Sequence, residues 1–320
     1  MSAAIVHFVG AGSGAPDLIT VRGMRLLQEA KVIVYAGSLV NPQLLQYAPK
    51  DCEIHDSAYL HLDQVIDILS RSAKRGQNTV RLHTGDPSIY GAVREQIDRL
   101  AQLGIDSDVC PGVSSFQGAA ASLKAEYTLP GVSQTVILTR LEGRTPVPDR
   151  ENLRELAAHG ASMAVFLSIS MADRLQEELL ASGGYDEDTP CAVVYKATWK
   201  EEKKFVTRLG ELAETVKSND ITKTAILLIG GFLGSGKTTF LKHMLTGLEG
   251  RKVGVLVNEF GSVSIDGTVI RQHGMEMVEL NNGSIFCACL KDSFVKTLKM
   301  FAETDIDILV VENSGMADPG

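Results

Sequence analysis

The stretch "VGAGSGAPDLIT", Val9–Thr20, decides how the first part of this chain is read. It follows the apolar run Ile5–Val9 and sets glycines at alternate positions, Gly10, Gly12 and Gly14. A dinucleotide-binding fold needs G-x-G-x-x-G running straight into a helix. It also needs an acidic residue after the second strand to hold a ribose hydroxyl. Here the third glycine comes one position early and Pro16 interrupts the run. The second strand, in "KVIVYAGS", ends on Ala36 and Gly37 with no acid. The spacing therefore argues against a nicotinamide site. Two readings remain. One is a tight turn that uses glycine for its backbone angles. The other is a glycine shelf that lets a bulky ligand approach the backbone.

Two further stretches favour the shelf. "RLHTGDPSIYG", Arg81–Gly91, and "CPGVSSFQGAAAS", Cys110–Ser122, are also rich in turn formers, and the first follows a strand candidate. Three such loops, each after a strand, would gather at the carboxyl ends of one sheet, where open α/β sheets bind ligands.

Outward from these loops, short β-rich runs alternate with helical spacing. Strands are expected at Ile5–Val9, Val32–Tyr35, Thr79–His83, Thr135–Thr139, Met163–Leu167, Ala192–Tyr195, Ala225–Ile229, Val253–Val257 and Ile308–Val311. Helices are expected at Val21–Glu29, Leu62–Ala73, Ala92–Leu103, Arg150–Ala158, Ala172–Ala181 and Thr238–Leu248. The alternation predicts an α/β architecture with largely parallel sheets. Candidate boundaries fall at Glu126–Gln134 and just before Ile221, after the polar "KSND".

Composition narrows the classes. The 320 residues suggest about two or three domains. A net charge of −8 argues against a nucleic-acid binder that works by general basicity, and leaves an anionic ligand to a local basic pocket. Five unevenly spaced cysteines do not make a disulfide framework. Of these, Cys110 and Cys191 read as core fillers, and His83 as a packed strand residue. The chain opens on a strand without the pattern of a signal peptide, and its longest apolar run is too short to span a bilayer. The expected setting is the cytoplasm, with no membrane partner.

The three loop stretches, with "YAGSLVNP" (Tyr35–Pro42), "LPGVSQTVILTR" (Leu129–Arg140) and "GRTPVP" (Gly143–Pro148), closely resemble the tetrapyrrole methylase family over about residues 4–234. Within it they are similar to the branch that methylates carbon 11 of precorrin-4 or cobalt-precorrin-4 in cobalamin synthesis. The resemblance implies two α/β domains, at residues 1–125 and 126–230, with S-adenosylmethionine in the cleft between them, and a homodimer. It implies cofactor contacts from the first loop (Gly10, Gly12, Gly14), from Gly85, Asp86 and Ile89, from Ser114 and Ser115, and from Leu167 and Ala197. Two positions depart from the family pattern: Ser13 stands where Pro is usual and Ala15 where Asp is usual. The glycines are intact, so the expected effect is on loop stiffness.

Methyl transfer from a sulfonium to an electron-rich ring carbon needs alignment and exclusion of water more than a strong nucleophile. No Ser/His/Asp or Cys/His machinery is required, and none is found. Asp17 is the acidic candidate for taking a proton from the ring, against a turn-capping role. The substrate carries many carboxylates, which arginine grips bidentately. Arg81, Arg140 and Arg144 are the candidates, against the reading of solvated surface arginines.

A second signal begins at "GGFLGSGKTT". From Gly231 to Thr238 it satisfies G-x-x-x-x-G-K-[ST] through Gly231, Gly236, Lys237 and Thr238, followed by Thr239. Such a loop cradles phosphates with backbone N–H groups, its lysine reaches the outer phosphates, and its threonine holds Mg²⁺. With "VNEFG", "ELNNGSIFCACL" and "LVVENSGMADP", residues 225–320 resemble the CobW-like metallochaperone GTPases. The resemblance implies GTP with Mg²⁺, and Zn²⁺ or a related metal at Cys287 and Cys289. Two thiolates do not fill a tetrahedral site, so Glu259 or a partner would have to help. That family's guanine-selecting Asn-Lys-x-Asp does not occur in the 320 residues.

Three readings follow: a corrin-ring methyltransferase, a nucleotide-driven metal-delivery module joined to a methylase-like domain, and a methylase with a passenger tail at residues 231–320. The first and third are compatible and are preferred. The stretch around Ala225–Ile229 suits the last strand of the methylase and the first strand of the GTPase equally, and Thr224–Ile229 is expected in the methylase sheet.

Overall fold

The computed structural model describes residues 5–143 and 145–233, and beyond them the backbone of three strands. It divides into two compact units, Met1–Leu233 and Gly234–Gly320.

The first unit opens with a five-stranded sheet of β1 (Val6–Gly10), β2 (Val32–Tyr35), β3 (Glu53–Asp56), β4 (Thr79–His83) and β5 (Ser107–Cys110). Its order is β3-β2-β4-β1-β5, and every pairing is parallel. Helices α1 (Val21–Glu29), α2 (Leu62–Lys74) and α3 (Val93–Gln102) cross between the strands. Leu27 of α1 packs with Val9, Ile33, Val80 and Leu82 on one face. Val65, Ile66 and Leu69 of α2 and Leu100 of α3 pack with Phe8 and Val34 on the other. The connection from β1 to β2 and those from β3 to β4 and β4 to β5 run in opposite directions along the sheet. Right-handed crossovers then place their helices on opposite faces. Both faces are covered, so the inner strands β1 and β2 read as largely apolar runs.

Helix α4 (Ser115–Leu123) leads to a second five-stranded sheet of β6 (Val136–Arg140), β7 (Ser162–Phe166), β8 (Pro190–Tyr195), β9 (Lys203–Arg208) and β10 (Ala225–Ile229), ordered β6-β7-β10-β8-β9. Its further helices are α5 (Leu153–Ala157), α6 (Ala172–Leu180) and α7 (Leu212–Ser218). Here the expectation of largely parallel sheets is corrected. Only β6 and β7 pair in parallel; β10 runs antiparallel to both β7 and β8, and β8 to β9. The reason is the β8–β9 connection, which turns back on itself without a crossover helix.

Strand β10 is hydrogen-bonded along both edges, Leu227 facing Val165 of β7 and Val193 of β8. Its side chains serve two cores. Leu227 and Ile229 join Leu175, Leu179 and Leu212 under α6 and α7. Ile226 and Leu228 join Ala119 and Ala120 of α4. The run "AILLI" is apolar throughout because neither face meets water. The polar run before Ile221 is therefore the end of α7 and the turn after it, inside the unit and not a boundary, and Ile221 itself is buried.

In the second unit, β11 (Val253–Asn258), β12 (Glu276–Leu280) and β13 (Ile308–Glu312) form a parallel sheet ordered β12-β11-β13. The helix expected at 238–248 lies outside the described residues, as do Gly236, Lys237, Thr238, Thr239, Glu259, Cys287, Cys289 and Arg144. Among the described residues no helix is long and apolar enough to cross a membrane.

Because Leu228 is fully buried against α4 at the centre of its sheet, Leu228→Ala should cost about 2–5 kcal/mol. Urea denaturation checks this as a fall in midpoint with an unchanged slope.

Candidate functional site

The three glycine-bearing loops meet at the carboxyl ends of adjacent strands β4, β1 and β5. Gly12 and Gly85 form an isolated antiparallel bridge: Gly85 N–H donates to the Gly12 carbonyl at 2.9 Å, and Gly12 N–H returns at 3.3 Å. A Cβ on Gly10 would stand 2.6 Å from the Gly85 carbonyl oxygen and 2.7 Å from the backbone of Gly112. A Cβ on Gly112 would strike the same oxygen. Close approach of three backbones is what these positions require. Gly85 differs: its φ of +59° favours glycine, yet the nearest atom to an added Cβ is Ser114 Cα at 3.5 Å. A Cβ there would sit in ordinary van der Waals contact with Ser114 and Ser115.

Asp86 joins the second loop to the third. One carboxylate oxygen accepts the Gly112 N–H at 2.8 Å; the other accepts the backbone N–H of Ser88 at 2.8 Å. Burial pushes this carboxyl up, but the hydrogen bonds from Ser88 and Gly112 outweigh it and hold it below the usual carboxylate range. Ile89 closes the turn by donating to the Asp86 carbonyl. Ser114, buried, opens α4, where its N–H is met by the Gln117 side chain at 3.0 Å, and Ser115 is the first residue of the helix.

The first loop is also gripped from the second half of the unit. Thr198 Oγ1 accepts the Ala15 N–H at 3.0 Å and lies 2.9 Å from Ser13 Oγ. Trp199 donates its indole N–H to the Ser13 carbonyl at 3.2 Å. Gly14 lies under Trp199 and the Ala197 carbonyl, where a Cβ would collide with the indole ring. Asn41 donates to the Gly14 carbonyl at 2.9 Å. The Ala197 carbonyl thus reaches the first loop. The strings "YAGSLVNP" and "YKATW" contain Asn41, Thr198 and Trp199, but no spacing rule links them to Ser13.

A second group forms beside the second loop. The rings of Tyr90 and Phe166 lie 5.3 Å apart, and Phe116 of α4 meets Phe166 edge-on at 6.4 Å. Leu167 follows with φ +53° and 69 % exposure, an apolar side chain held out to solvent in a backbone region that leucine rarely adopts. Arg140 and Tyr90 line a cavity of about 370 Å³ with Thr139, Val147 and Glu151. Arg140 also donates to the carbonyls of Thr145 and Pro146, at 2.9 and 2.8 Å.

Other expected site residues stand elsewhere. Arg81 is 7 % exposed inside the first sheet, donating to Gln96 at 3.2 Å and to the Val34 carbonyl at 3.1 Å. Burial depresses its pKa to about 10. Its place is in the scaffold, because its guanidinium is spent within the core. Asp17 is exposed on the 3-10 turn Pro16–Leu18. His83 is 5 % exposed and stacks on Phe8, and its Nε2 has no hydrogen-bond partner. Burial, and then the Arg81 charge, push its pKa down to about 3. Cys110 and Cys191 are buried, and burial, then the Glu211 charge, push the Cys191 thiol up to about 12. Among the described residues no group of three or more His, Cys, Asp or Glu is placed to hold a metal ion.

The family profile of tetrapyrrole (corrin/porphyrin) methylases matches residues 6–213, and that of the CobW/HypB/UreG nucleotide-binding domain matches residues 225–320. The chain is 54 % identical over 228 residues to the cobalt-precorrin-4 C(11)-methyltransferase of Methanocaldococcus jannaschii, covering 71 % of this chain and 88 % of that protein. It is similar to a crystal structure of a cobalt-precorrin-4 methyltransferase, a cobalamin biosynthetic enzyme, with a TM-score of 0.69 and 44 % identity over 71 % of this chain and 95 % of the other. It is also similar to the uroporphyrin-III C-methyltransferase of Thermus thermophilus solved with S-adenosyl homocysteine, with a TM-score of 0.60 and 26 % identity over 72 % of this chain and 94 % of the other.

Two predictions follow from the geometry. Gly112→Ala should destabilise the fold strongly, because its Cβ meets backbone that cannot move aside. Gly85→Ala, with room for a Cβ, should cost only the left-handed φ, about 1–2 kcal/mol. Thermal unfolding of the pair checks the ranking. For His83, the folded pKa of about 3 lies below the ordinary value of 6.5, so between these limits the unfolded state binds the extra proton. Stability is full above about pH 6.5 and falls as the pH drops towards 3, by up to about 1.4 kcal/mol per pH unit. In His83→Leu that part of the acid sensitivity should be missing from urea midpoints measured between pH 7 and 4.

Proposed function

The chain belongs to the tetrapyrrole (corrin/porphyrin) methylases, and on that premise we propose that it methylates carbon 11 of precorrin-4 or cobalt-precorrin-4. It is an S-adenosylmethionine-dependent C-methyltransferase of cobalamin biosynthesis. The observation that carries the reading is the backbone-lined shelf of Gly10, Gly12, Gly85 and Gly112, in a chain 54 % identical to a methyltransferase of that specificity. The residues present fit the donor: Gly10, Gly12, Gly85 and Gly112 put no side chain over the shelf, and loop N–H and carbonyl groups line it.

The bound donor supplies an electrophilic methyl carbon on its sulfonium. The chain's own part is alignment and dryness. We assign Gly10, Gly12, Gly14, Gly85, Asp86 and Ile89, with Ser114, Ser115, Leu167 and Ala197, to the donor side. Asp86 acts there by clasping the loops, since both of its oxygens accept hydrogen bonds. Tyr90 and Phe166 offer an apolar wall for a macrocycle. Arg140 has N–H groups beyond the two that hold Thr145 and Pro146, and these suit a ring carboxylate. Asp17 is the one carboxylate between Gly10 and Thr20, and the proposal gives it the proton that the ring loses.

The match over 225–320 supports a separate role for the tail, a phosphate-binding loop at Gly231–Thr238 taking a nucleotide, for which GTP with Mg²⁺ is the proposal. The strand that leads into it is β10.

Purified protein with S-adenosylmethionine and either ring, cobalt-bearing or metal-free, should yield a product heavier by one methylation, with the carbon identified by NMR. No gain on either ring would sink the assignment. Arg140→Ala should raise KM for the ring by roughly tenfold or more and leave KM for the donor near its original value.

A further inference from the structure

Thr198 is a β-branched residue at φ +66°, two positions from Lys196 at φ +48°. β-Branched side chains rarely adopt this region, and such strain persists only where its surroundings enforce it. Here the enforcing contacts are visible. The Thr198 N–H donates to a Glu202 carboxylate oxygen at 2.6 Å. The other Glu202 oxygen accepts from Ser122 Oγ near the end of α4. Lys204 donates to the Ser122 carbonyl at 3.0 Å. The turn Lys196–Glu202 is thus fastened to α4, and its strained residue presents Oγ1 to the first glycine loop. That oxygen takes up Ala15 N–H and Ser13 Oγ, across 183 and 185 positions of sequence.

The stretch held is the one where the chain departs from the family pattern. Proline at position 13 would stiffen the loop by fixing φ. Serine does not, and its hydroxyl instead meets Thr198 at 2.9 Å. We propose that Thr198 is a positioning residue for methyl transfer: from the second half of the unit it fixes Ser13–Ala15, and so sets the shelf that receives the donor. The proposal rests on the reading of that shelf as the donor site. Glu202 holds Thr198 in its strained conformation, and Ser13 is the receiving half of the hydroxyl pair. The loop is stiffened by a long-range contact in place of a local ring.

The chain contains a single tryptophan, and Trp199 donates to the Ser13 carbonyl over Gly14. Its fluorescence therefore reports loop docking without any ligand. Three full-length variants test the proposal. Thr198→Val keeps the shape and removes the hydroxyl; Thr198→Ser restores it; Ser13→Ala removes only the hydroxyl pair. In Thr198→Val the Trp199 emission should move to longer wavelength. Its Kd for S-adenosyl homocysteine, from equilibrium dialysis, and its KM for S-adenosylmethionine should each rise about fivefold or more, with kcat nearly retained. Thr198→Ser should return all three towards wild type, and Ser13→Ala should shift them in the same direction by a smaller factor. Unchanged emission and Kd in Thr198→Val overturn the proposal. If that variant does not fold, unchanged values in Ser13→Ala overturn it. Should wild type itself fail to bind S-adenosyl homocysteine, the donor reading is what fails, and the emission shift still decides whether Thr198 sets the loop.

Discussion

Three backbones meet where no side chain could stand. Gly10, Gly85 and Gly112 end adjacent parallel strands, and the Gly85 carbonyl sits where a Cβ on either of the others would go. The site depends on this contact. It brings three loops within hydrogen-bonding distance, lets Gly12 and Gly85 bridge, and leaves Asp86 to clasp the second loop to the third. A surface made of backbone in this way presents N–H and carbonyl groups with little side-chain bulk. Such a surface can hold a nucleoside-like ligand close without a charged cluster, in keeping with a net charge of −8.

A second constraint fixes what surrounds the shelf. Strand β10 fills the gap between β7 and β8, and its alternating side chains bind α6 and α7 on one face and α4 on the other. Helix α4 begins at the third glycine loop, so the second sheet and the shelf are mechanically continuous. The CobW-type match begins on the same residues, Ala225–Ile229, which stand just before the G-x-x-x-x-G-K-[ST] pattern at Gly231–Thr238. Both edges of that strand are already hydrogen-bonded within the methylase unit. Any nucleotide function of the tail has to operate with its leading strand held there.

Sequence patterns showed the central elements well and the marginal ones badly. The seven strands expected before residue 230 all form, because buried strands carry the apolar runs that pattern reading detects. The edge strands β3 ("EIHD"), β5 ("SDVC") and β9 ("KKFVTR") went unseen. All three are largely polar, β3 and β5 have only four residues each, and β9 carries the lysines that protect a sheet edge from further pairing. Helix α4, "SFQGAAASL", hides its periodicity in small residues, chosen because Gly118 packs against Ser13 and Ala119 and Ala120 pack under β10. Arg81 read as a substrate grip because it stands near a strand end beside a glycine loop and the implied substrate is rich in carboxylates. Its guanidinium is instead engaged inside the fold, by Gln96 and the Val34 carbonyl.

What the sequence determined by itself is the set of parts: glycines at strand ends, the apolar strands, the family resemblance and so the methyl-transfer chemistry. These are local or inherited properties, legible wherever a motif is continuous along the chain. The tertiary structure alone decided which way β10 runs, since an apolar run carries no direction. It alone decided that Thr198, 185 positions away, meets Ser13. Contacts of that span come from the second sheet and the first glycine loop meeting on one helix, α4, and no short window of sequence contains both partners.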